Sequence, residues 1–528
     1  MTSNFPPLRR RAVEEASSYD AVPYASHAIG NTHPDSLATM GILHGMRPPE
    51  VENCRVLELG CAEAGNLIAM ATTLPRARFT GIDASHKQIE KGRELAAAAE
   101  VANVDLRAIG ILEFPDGEEF DYIVCHGVYS WVAPDVQDRI LEILARRLSP
   151  QGIAYLSYNT YPGCHLKDLE REMMLFHVRN IEDPAERIRQ ARALLGFLGE
   201  FARDSRDVYR ILIERFVRDA EEEPDWYFFH EYLEEHNTPL YFHELVRRAE
   251  EKGLQYLSGA EFIAWEHYLP PAPRETLGRL GNRIVREQYL DFLGNRMFRR
   301  SLFCRSDAAV TNEPRPDRVG GLSAEGRVRP ARPDADVGSE DVEEFVSYGE
   351  ARFSTDRPLV KAALAVLAEA APCAVPVESL WPMTAKDLGA EVDAAGAEEL
   401  SRALLSACQL SVISLHAWSP PLARSPGERL VATPLARLQA ARNEPIVNLR
   451  HRIVEIGDLD RVLLERLDGT RDRPALLHAL AEAWRSGLLG VSDRTGEPVA
   501  DPEKVGAALA AELEPALERL AAAALLAG

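Results

Sequence analysis

A strand–turn–helix–strand pattern constrains the fold of this chain more than any other feature. The apolar strand Val56–Leu59 leads into a turn of small residues from Gly60 to Gly65, and an apolar helical segment follows. Glycine adopts backbone angles that a side chain would forbid, so such a turn lets the backbone approach a ligand closely. A second apolar strand, 79–82, ends in Asp83, whose carboxylate is placed to hold a ribose. The pattern predicts a βαβ unit that binds a nucleoside-containing cofactor.

Length and composition indicate an ordinary soluble protein of two or three domains. A chain of 528 residues favours more than one core, and a hydrophobic content of 46% with 27% charged residues is typical of globular proteins. No run of about 18 apolar residues is present, so we predict no membrane span. No apolar run follows the N-terminal Arg9–Arg11, which argues against a secretory signal.

Cysteine usage and net charge bear on the compartment and on the partners. The seven cysteines are scattered without CxxC spacing, so we expect a reducing cytoplasm and no bound metal. A formal net charge of -22 argues against nucleic-acid binding, which needs a basic surface. The acidity suits a basic or lysine-bearing partner, although its contribution to solubility is the simpler explanation.

The alternation of strands and helices predicts a doubly wound α/β sheet. We expect parallel strands joined by right-handed crossovers, with the last two strands separated from the others by helical insertions. The expected strands lie at residues 55–59, 78–82, 104–108, 120–125, 153–158, 253–257 and 300–305. The expected units are an N-terminal extension (1–50), the sheet core (51–165), a helical region with the last two strands (166–305), a linker (306–347) and a helix-rich C-terminal domain (348–528).

The C-terminal domain contains a helix–helix–strand–strand pattern. Its segments lie at 359–369, 398–407, 410–415 and 428–432, and their order predicts a winged helix. The acidity of the chain argues against DNA binding by such a unit. The segment 306–343 before it is rich in Pro, Gly, Asp and Arg and poor in apolar residues, which is typical of a linker.

Two acidic residues at the turn bear on which cofactor binds there. Gly60-x-Ala62-x-x-Gly65 is a degenerate form of the dinucleotide-binding fingerprint and is weak evidence alone. Glu58 in the strand is placed to hold an ammonium group, whereas Glu63 in the turn would face the charges of a pyrophosphate at a cost of roughly 1–4 kcal/mol at 4 Å. S-adenosylmethionine carries a sulfonium and an amino group, which acidic residues tolerate or stabilise. We therefore favour S-adenosylmethionine over a dinucleotide, and over a turn that binds no ligand.

Four segments of the core together resemble the class I S-adenosylmethionine-dependent methyltransferases that carry a methyltransferase regulatory domain. These segments are Val56–Asn66, Gly81–Ser85, Phe120–Val132 and Ser157–Gly163. The regulatory domain is similar to Tyr227–Leu233 and Tyr241–Leu245, and further similarity lies at Tyr19–His27, Asn448–His451 and Leu467–Arg471. Bacterial protein-lysine methyltransferases belong to this broader group.

The resemblance implies a seven-stranded Rossmann-like fold, S-adenosylmethionine as the cofactor, and methyl transfer to a protein or peptide. The expected acceptor is a lysine nitrogen, and a second copy of the chain is a candidate partner. The N-terminal extension is expected to cap the cofactor, and the C-terminal domain to bind the substrate or a partner. Two alternatives stay open: methylation of a peptide carboxylate or small metabolite, and a regulatory protein that binds the cofactor without turnover.

The cofactor contacts that the resemblance implies come from the N-terminal extension, the turn and the ends of the strands. They are Tyr24, His27, Glu58, Gly60, Ala62, Gly65, Asn66, Asp83, Ala84, Ile109, Gly110, Ile111 and Cys125. Asp83 is expected to accept hydrogen bonds from the ribose hydroxyls, with a cap for the following helix as its alternative role. Ala62 replaces the middle glycine of the family motif, and Gly110 stands where an Asp often binds the adenine amino group. Glu113, or backbone carbonyls near Ile109, are candidates for that contact.

The candidate residues for the reaction follow the fourth and fifth strands, because ligands of open α/β sheets lie beyond the carboxyl ends of the strands. They are His126, Tyr129, Trp131, Asn159 and Tyr161. His126 is a neighbour of the cofactor carboxylate, a proton acceptor or a packed turn residue. Tyr129 and Trp131 are expected to line a channel for an aliphatic amine by cation–π contact, with burial in the core as the alternative for Trp131. Asn159 and Tyr161 are expected to position the acceptor.

The expected chemistry asks little of the protein beyond alignment. A sulfonium is already an activated methyl donor, so the protein chiefly aligns donor and nucleophile and excludes water. An apolar aromatic channel disfavours the charged form of a lysine and so promotes loss of its proton. A dedicated base is therefore not required.

Overall fold

A sheet of seven strands forms the centre of the described structure. The computed structural model of the protein describes residues 22, 26–203, 208–263, 268–389, 393–492 and 497–528. The strands are β1 Arg55–Leu59, β2 Arg78–Asp83, β3 Val104–Ala108, β4 Phe120–Cys125, β5 Leu148–Asn159, β6 Leu254–Gly259 and β7 Phe298–Arg305. They lie in the order β3-β2-β1-β4-β5-β7-β6. The predicted seven-stranded, doubly wound fold of class I methyltransferases is confirmed.

The strand directions gather six carboxyl ends, those of β1 to β6, at one edge of the sheet. β1 pairs in parallel with β2 and β4, β2 with β3, and β4 with β5. The alternation of helices and strands predicted that all the strands are parallel. The structure corrects this prediction, because β7 is antiparallel to both β5 and β6 and the sheet is therefore mixed. Alternating elements specify direction only where a single helix crosses between strands, and two helices separate β6 from β7.

Helices cover both faces of the sheet. The α-helices are α1 Pro34–Leu43, α2 Gly65–Thr73, α3 His86–Ala98, α4 Pro134–Arg147, α5 Cys164–Val178, α6 Pro184–Ala202, α7 Val208–Glu222, α8 Asp225–Phe228, α9 Phe242–Glu251, α10 Pro271–Gly278, α11 Arg283–Gly294, α12 Pro358–Ala370, α13 Val377–Leu388, α14 Ala394–Gln409, α15 Pro434–Ala441, α16 Asp458–Leu464, α17 Arg473–Arg485 and α18 Pro502–Ala522. Residues of α1, α2 and α3 share a core with one face of the sheet, and residues of α4 and α9 share a core with the other. Side chains alternate along β1, so Val56 belongs to the first core and Leu57 to the second.

The helical insertion between β5 and β6 has a small core of its own. Apolar side chains of α5, α6 and α7 pack together there with residues of a π-helix, Phe229–Leu233. π-helical turns inside helical regions are rare and are frequent at functional sites. This turn is fixed by Arg171, which donates to the carbonyl oxygens of Glu231 at 3.2 Å and Glu234 at 2.7 Å.

The predicted linker, 306–347, is not free of regular structure. It contains the short strands β8 Ser323–Glu325 and β9 Val328–Pro330 and ends in β10 Glu343–Ser347, which pairs with β11 Arg352–Thr355. β8 pairs with β12 Val375–Pro376 and β13 Ser414–His416, and the remaining pair is β14 Ile446–Val447 with β15 Ile453–Val454. The strands of this segment are short and pair with distant residues, so the local composition did not reveal them.

Apolar helices of membrane-spanning length are absent from the described part of the chain.

A buried ion pair joins α11 to β7. Arg299 Nε donates to both carboxylate oxygens of Asp291, at 2.9 and 2.7 Å, and Nη2 donates to Glu287 at 3.0 Å. The guanidinium also lies 3.9 Å from the ring centre of Phe242, in α9. Arg299 and Asp291 are both buried, so removal of Asp291 leaves Glu287 alone to compensate a charge in the interior.

We expect Asp291→Ala to lower the free energy of unfolding by roughly 3 kcal/mol, because the buried Arg299 charge loses one of its two carboxylate partners and keeps only Glu287. Urea denaturation followed by circular dichroism measures the change. The control is Glu275→Ala, which removes the carboxylate of an exposed pair with Arg279 in α10. We expect that loss to stay below about 1 kcal/mol. Equal effects of the two variants would contradict the role of the Arg299 pair.

Candidate active site

The turn after β1 is built from residues with left-handed backbone conformations. Gly60 has φ +71°, and a Cβ placed on it would lie 2.5 Å from Val128 Cγ2, so both its conformation and its surroundings require glycine. Ala62 and Ala64 have φ +51° and +56°, which costs an ordinary residue roughly 1–2 kcal/mol. Alanine at position 62, where the family motif has glycine, therefore holds a strained backbone conformation that glycine would adopt freely. Gly65 has no positive φ, but a Cβ there would lie 2.6 Å from Ser26 O.

Asp83 ties the two ends of the first crossover together. Its Oδ2 accepts from Ala62 N at 3.0 Å, and its Oδ1 accepts from Ser85 N at 2.9 Å. Ser85 in turn caps α3, since its Oγ accepts from Gln88 N. The carboxylate thus lies at the carboxyl edge between the turn and α3, where a ribose of a ligand in the crevice comes within reach.

Glu58 is a buried carboxylate that the protein satisfies only in part. Its Oε1 accepts from Asn66 Nδ2 at 2.8 Å, whereas its Oε2 is buried and has no hydrogen-bond partner. The pKa of Glu58 is raised to about 8. Burial is the main cause, the hydrogen bond from Asn66 opposes it, and the nearby Asp83 adds to the increase. An open carboxylate oxygen in this place is suited to a cationic ligand group, which would restore the charged form.

Asn66 is the centre of a buried hydrogen-bond network. Its Nδ2 donates to Glu58 Oε1 and to Thr32 Oγ1 at 3.0 Å, and its Oδ1 accepts from Ile29 N at 2.9 Å. The same oxygen lies 2.8 Å from Nε2 of His451, a residue of the C-terminal domain. The side chain is fully engaged by protein groups, so its connection with a cofactor runs through Glu58.

The described residues of the N-terminal extension, 22 and 26–50, include several that contact the turn or the insertion. Ser26 Oγ accepts from Gly65 N at 2.8 Å and so caps α2, and His27 contributes to the low pKa of His126. His230 of the π-helix donates to Val22 O at 2.6 Å, which joins the insertion to the extension. Of the two predicted lid residues, His27 therefore lies near the site, and Tyr24 falls outside the described residues.

The predicted adenine region is the loop after β3. Ile109, Gly110 and Ile111 are partly exposed there, and Ala84 is exposed beside Asp83. Glu113 folds back so that its Oε2 accepts from Gly110 N at 3.3 Å. The carboxylate predicted to replace the missing Asp thus lies against the backbone of Gly110, and its role towards the adenine stays a prediction.

Glu63 and Cys125 occupy less prominent places than the sequence predicted. Glu63 forms an ion pair with Lys91 at 2.7 Å, so part of its charge is compensated and it disfavours a pyrophosphate less than Glu58 does. Cys125 is buried at the end of β4, and burial raises the pKa of its thiol.

His126 stands at the rim of the site, after β4. Its Nδ1 shares a hydrogen bond of 2.9 Å with Tyr155 OH, and its ring meets Phe298 edge-on at 6.0 Å. The pKa of His126 is lowered to about 4, mainly by burial and in addition by the neighbouring Arg300 and His27. The imidazole is therefore neutral at pH 7.

Tyr129 and Trp131 do not form an open pair beside His126. Tyr129 is completely buried in the core of the α4 face, a position that does not fit the predicted amine channel. Tyr129 begins the one-turn 3₁₀ helix Tyr129–Trp131, in which Tyr129 and Ser130 are buried. Trp131 is partly buried, and the guanidinium of Arg171 from α5 lies over its ring, 5.6 Å from the ring centre. The alternative prediction, Trp131 packed beneath the insertion, agrees with this contact.

Asn159 and Tyr161 lie where β5 meets the insertion. Asn159 is buried, and its Nδ2 donates to Asn237 Oδ1 at 3.0 Å. Tyr161 donates to Asp168 at 2.9 Å and stacks on His165 at a ring distance of 4.0 Å. Tyr241 adds a third ring at 5.4 Å from Tyr161. Both predicted residues therefore line the junction of core and insertion, and His165 and Tyr241 are additions that the sequence pattern did not single out.

The described residues contain no group of three or more His, Cys, Asp or Glu side chains arranged to hold a metal ion.

Family models match most of the chain. A methyltransferase domain matches residues 50–221, a predicted methyltransferase regulatory domain matches 224–305, and the C-terminal winged helix domain of PKMT matches 428–525. The predicted winged helix is thereby confirmed as part of the chain. Its position is a correction, because we expected it at 359–432, one unit earlier.

Relatives and solved structures are similar over nearly the whole length. The uncharacterized protein RP789 of Rickettsia prowazekii is 31% identical over 536 residues, which is 97% of this chain and 94% of that protein. Protein RP028 of the same organism is 40% identical over 241 residues, 46% of this chain and 96% of its own. The structure of PKMT2 from Rickettsia typhi, solved alone and in complex with AdoHcy, has 31% identity, covers 96% of this chain and 100% of its own, and gives a TM-score of 0.85.

Glu58→Gln tests the strained carboxylate. The pKa of Glu58 is about 8 in the folded protein and 4.5 in the unfolded chain. Between these pH values the unfolded chain releases a proton that the folded protein keeps, so the free energy of unfolding falls as the pH rises. We expect the thermal midpoint of the variant to match the parent near pH 4.5 and to exceed it by several degrees at pH 8. Differential scanning fluorimetry across this pH range measures the difference. The control is Glu63→Gln, whose midpoint should follow the parent at each pH, and an E58Q difference that is independent of pH would contradict the assignment.

Proposed function

This chain belongs to the class I S-adenosylmethionine-dependent methyltransferases that carry a regulatory domain and a PKMT-type C-terminal winged helix domain, and from this premise we propose that it methylates a lysine side chain of a protein. The observation that carries the proposal is the similarity to PKMT2 over 96% of this chain at a TM-score of 0.85. The protein is a methyltransferase, and S-adenosylmethionine is its cofactor. The lysine acceptor is the part that experiment has to test.

The described residues fit this cofactor at the carboxyl ends of β1 and β2. The unpartnered Oε2 of Glu58 is suited to accept from the cofactor's ammonium group. We assign the ribose hydroxyls to Asp83 and the adenine amino group to Glu113, which lies against Gly110. Gly60 permits the close approach that such a ligand needs, because it has no Cβ; a Cβ at this position would lie 2.5 Å from Val128 Cγ2.

The residues at the rim support a neutral amine as acceptor. The cofactor supplies a methyl group that its sulfonium already activates. The neutral imidazole of His126, the buried Tyr155 and the ring of Phe298 form a wall that offers no carboxylate, and the positively charged Arg300 lies against it. Such surroundings disfavour an ammonium and favour the free amine, whose nitrogen lone pair is the nucleophile. Proton loss from the amine then precedes attack, and no charged base is needed.

We assign the remaining parts by their contacts with the site. The extension before residue 50 covers the turn, and the insertion joins the extension through His230 and Val22. The C-terminal domain, which reaches Asn66 through His451, is the proposed binding domain for the protein substrate. All seven cysteines are free thiols, which agrees with action in the reducing cytoplasm.

Incubation with labelled S-adenosylmethionine tests the acceptor. We expect the full-length protein to label proteins of a bacterial lysate, and mass spectrometry of the labelled peptides to place the methyl group on lysine nitrogens. We expect Asp83→Ala to lose about 10- to 100-fold in cofactor affinity by calorimetry, because a charged acceptor of hydrogen bonds is removed. Glu63→Gln is the matched acidic control in the same turn. Cofactor binding without any protein labelling would favour the regulatory protein, and labelled carboxylates or metabolites would favour the other alternative.

A second copy of this chain stays a predicted partner. The insertion helices expose several large apolar side chains, Phe176, Phe197, Phe201 and Ile211, at 63–75% of their surface. Large exposed apolar patches are typical of interaction surfaces. We expect light scattering after size exclusion to give twice the chain mass of 58.6 kDa, and Phe197→Ser with Phe201→Ser to shift it towards the single chain. A single-chain mass for the parent protein at micromolar concentration would contradict the prediction.

A further inference from the structure

A rigid turn of the C-terminal domain reaches the cofactor motif. In the turn 448–452, Asn448 Oδ1 accepts from the backbone nitrogens of Arg450 and Arg452, each at 3.0 Å. Asn448 Nδ2 donates to Ala523 O at 2.9 Å, which fixes the turn to the end of α18. The turn is therefore held in place by its own domain and not by the methyltransferase core.

His451 is the residue that this turn presents. It is buried and has φ +56°, a left-handed conformation that costs an ordinary side chain roughly 1–2 kcal/mol. Its Nε2 lies 2.8 Å from Asn66 Oδ1, across 385 positions of the sequence. Its carbonyl oxygen lies 3.7 Å from where a Cβ on Gly30 would be, so the extension packs closely against it. Strain that is retained at a contact of this kind points to a function for the contact.

The hydrogen-bond pattern fixes the direction of this contact. Both protons of Asn66 Nδ2 are used, on Glu58 Oε1 and Thr32 Oγ1, so Asn66 Oδ1 is the acceptor and His451 Nε2 the donor. Burial lowers the pKa of His451, and its neighbour His33 lowers it further, so the imidazole carries a single proton. That proton lies on Nε2, and Nδ1 is left without a partner.

We propose that His451 is a positioning residue of the cofactor site, which orients the Asn66 amide so that Asn66 holds Glu58 with one oxygen open to the cofactor's ammonium. The C-terminal domain then contributes a residue to the cofactor site, in addition to its proposed role in substrate binding. The assignment rests on the proposed function in one respect, the role of Glu58 towards the cofactor. Without the donor from His451, the Asn66 amide would be held by Ile29 and Thr32 alone, and the position of Glu58 would be less firmly fixed.

Coupling between two sites is reciprocal. If docking of the turn strengthens cofactor binding, then the cofactor strengthens docking of the turn by the same factor. The cofactor should therefore protect the junction between the core and the C-terminal domain, and this protection should vanish when the donor at residue 451 is absent.

The test compares variants of the full-length protein by calorimetry with S-adenosylhomocysteine. We expect His451→Phe, which fills the space but donates no hydrogen bond, to weaken binding about tenfold. We expect His451→Gln, whose amide can donate to Asn66, to recover most of the affinity. The control His478→Ala removes a histidine of the same domain that is exposed and paired with Glu482, and it should bind like the parent.

A second measurement separates positioning from folding. Limited proteolysis with and without S-adenosylhomocysteine should show ligand protection of the junction in the parent and in His451→Gln, and none in His451→Phe. A merely structural role would lower the thermal midpoint of His451→Phe and leave its affinity and protection unchanged below that midpoint, which would overturn the proposal. A parent protein that binds no S-adenosylhomocysteine would instead overturn the proposed function. If His451→Phe does not fold, the affinity of His451→Gln decides, because a glutamine that folds but binds tenfold more weakly contradicts rescue by the donor.

Discussion

A buried carboxylate with one satisfied oxygen is the constraint around which the rest of the site is arranged. Glu58 stands at the end of β1, where one oxygen accepts from Asn66 and the other has no partner. A protein that only needed stability would fill this place with an apolar side chain or a complete hydrogen-bond pair. The surroundings instead keep the carboxyl group available, and they raise its pKa to about 8 while no cation is near. The cost in stability is the counterpart of a site prepared for a cationic ligand.

The core of this arrangement could be predicted because local sequence determines it. β1, β3 and β4 have the bounds that the sequence predicted for them. The position of Asp83 beside the turn follows from the order strand, helix, strand, which brings the ends of β1 and β2 together. Ala62 shows the limit of such reasoning. Its side chain is small, as predicted, but the feature that matters is its left-handed backbone, which an alanine gives no reason to expect.

The rest could not be predicted because it depends on contacts between distant residues. Asn66 was assigned to the cofactor from its place in the motif, yet its partners come from positions 29, 32 and 451. Tyr129 lies in an exposed-looking loop sequence and is nevertheless buried, because the turn that contains it folds onto α4 through Gln137. The strand β8 pairs with β12 and β13, which lie about 50 and 90 residues further along the chain, and its three residues carry no strand pattern of their own.

The cover of the cofactor turn is shared between two domains that do not adjoin in the sequence. The insertion holds the N-terminal extension at Val22 through His230, whereas Ile29 and Thr32 are held at Asn66, beside His451. Between these anchors, Ser26 caps the very helix whose N-terminus faces the ligand crevice. Contacts from two distant parts of the chain therefore converge on the described residues of the extension. Ser26 and Thr32 in turn contact Gly65 and Asn66, and Asn66 holds Glu58.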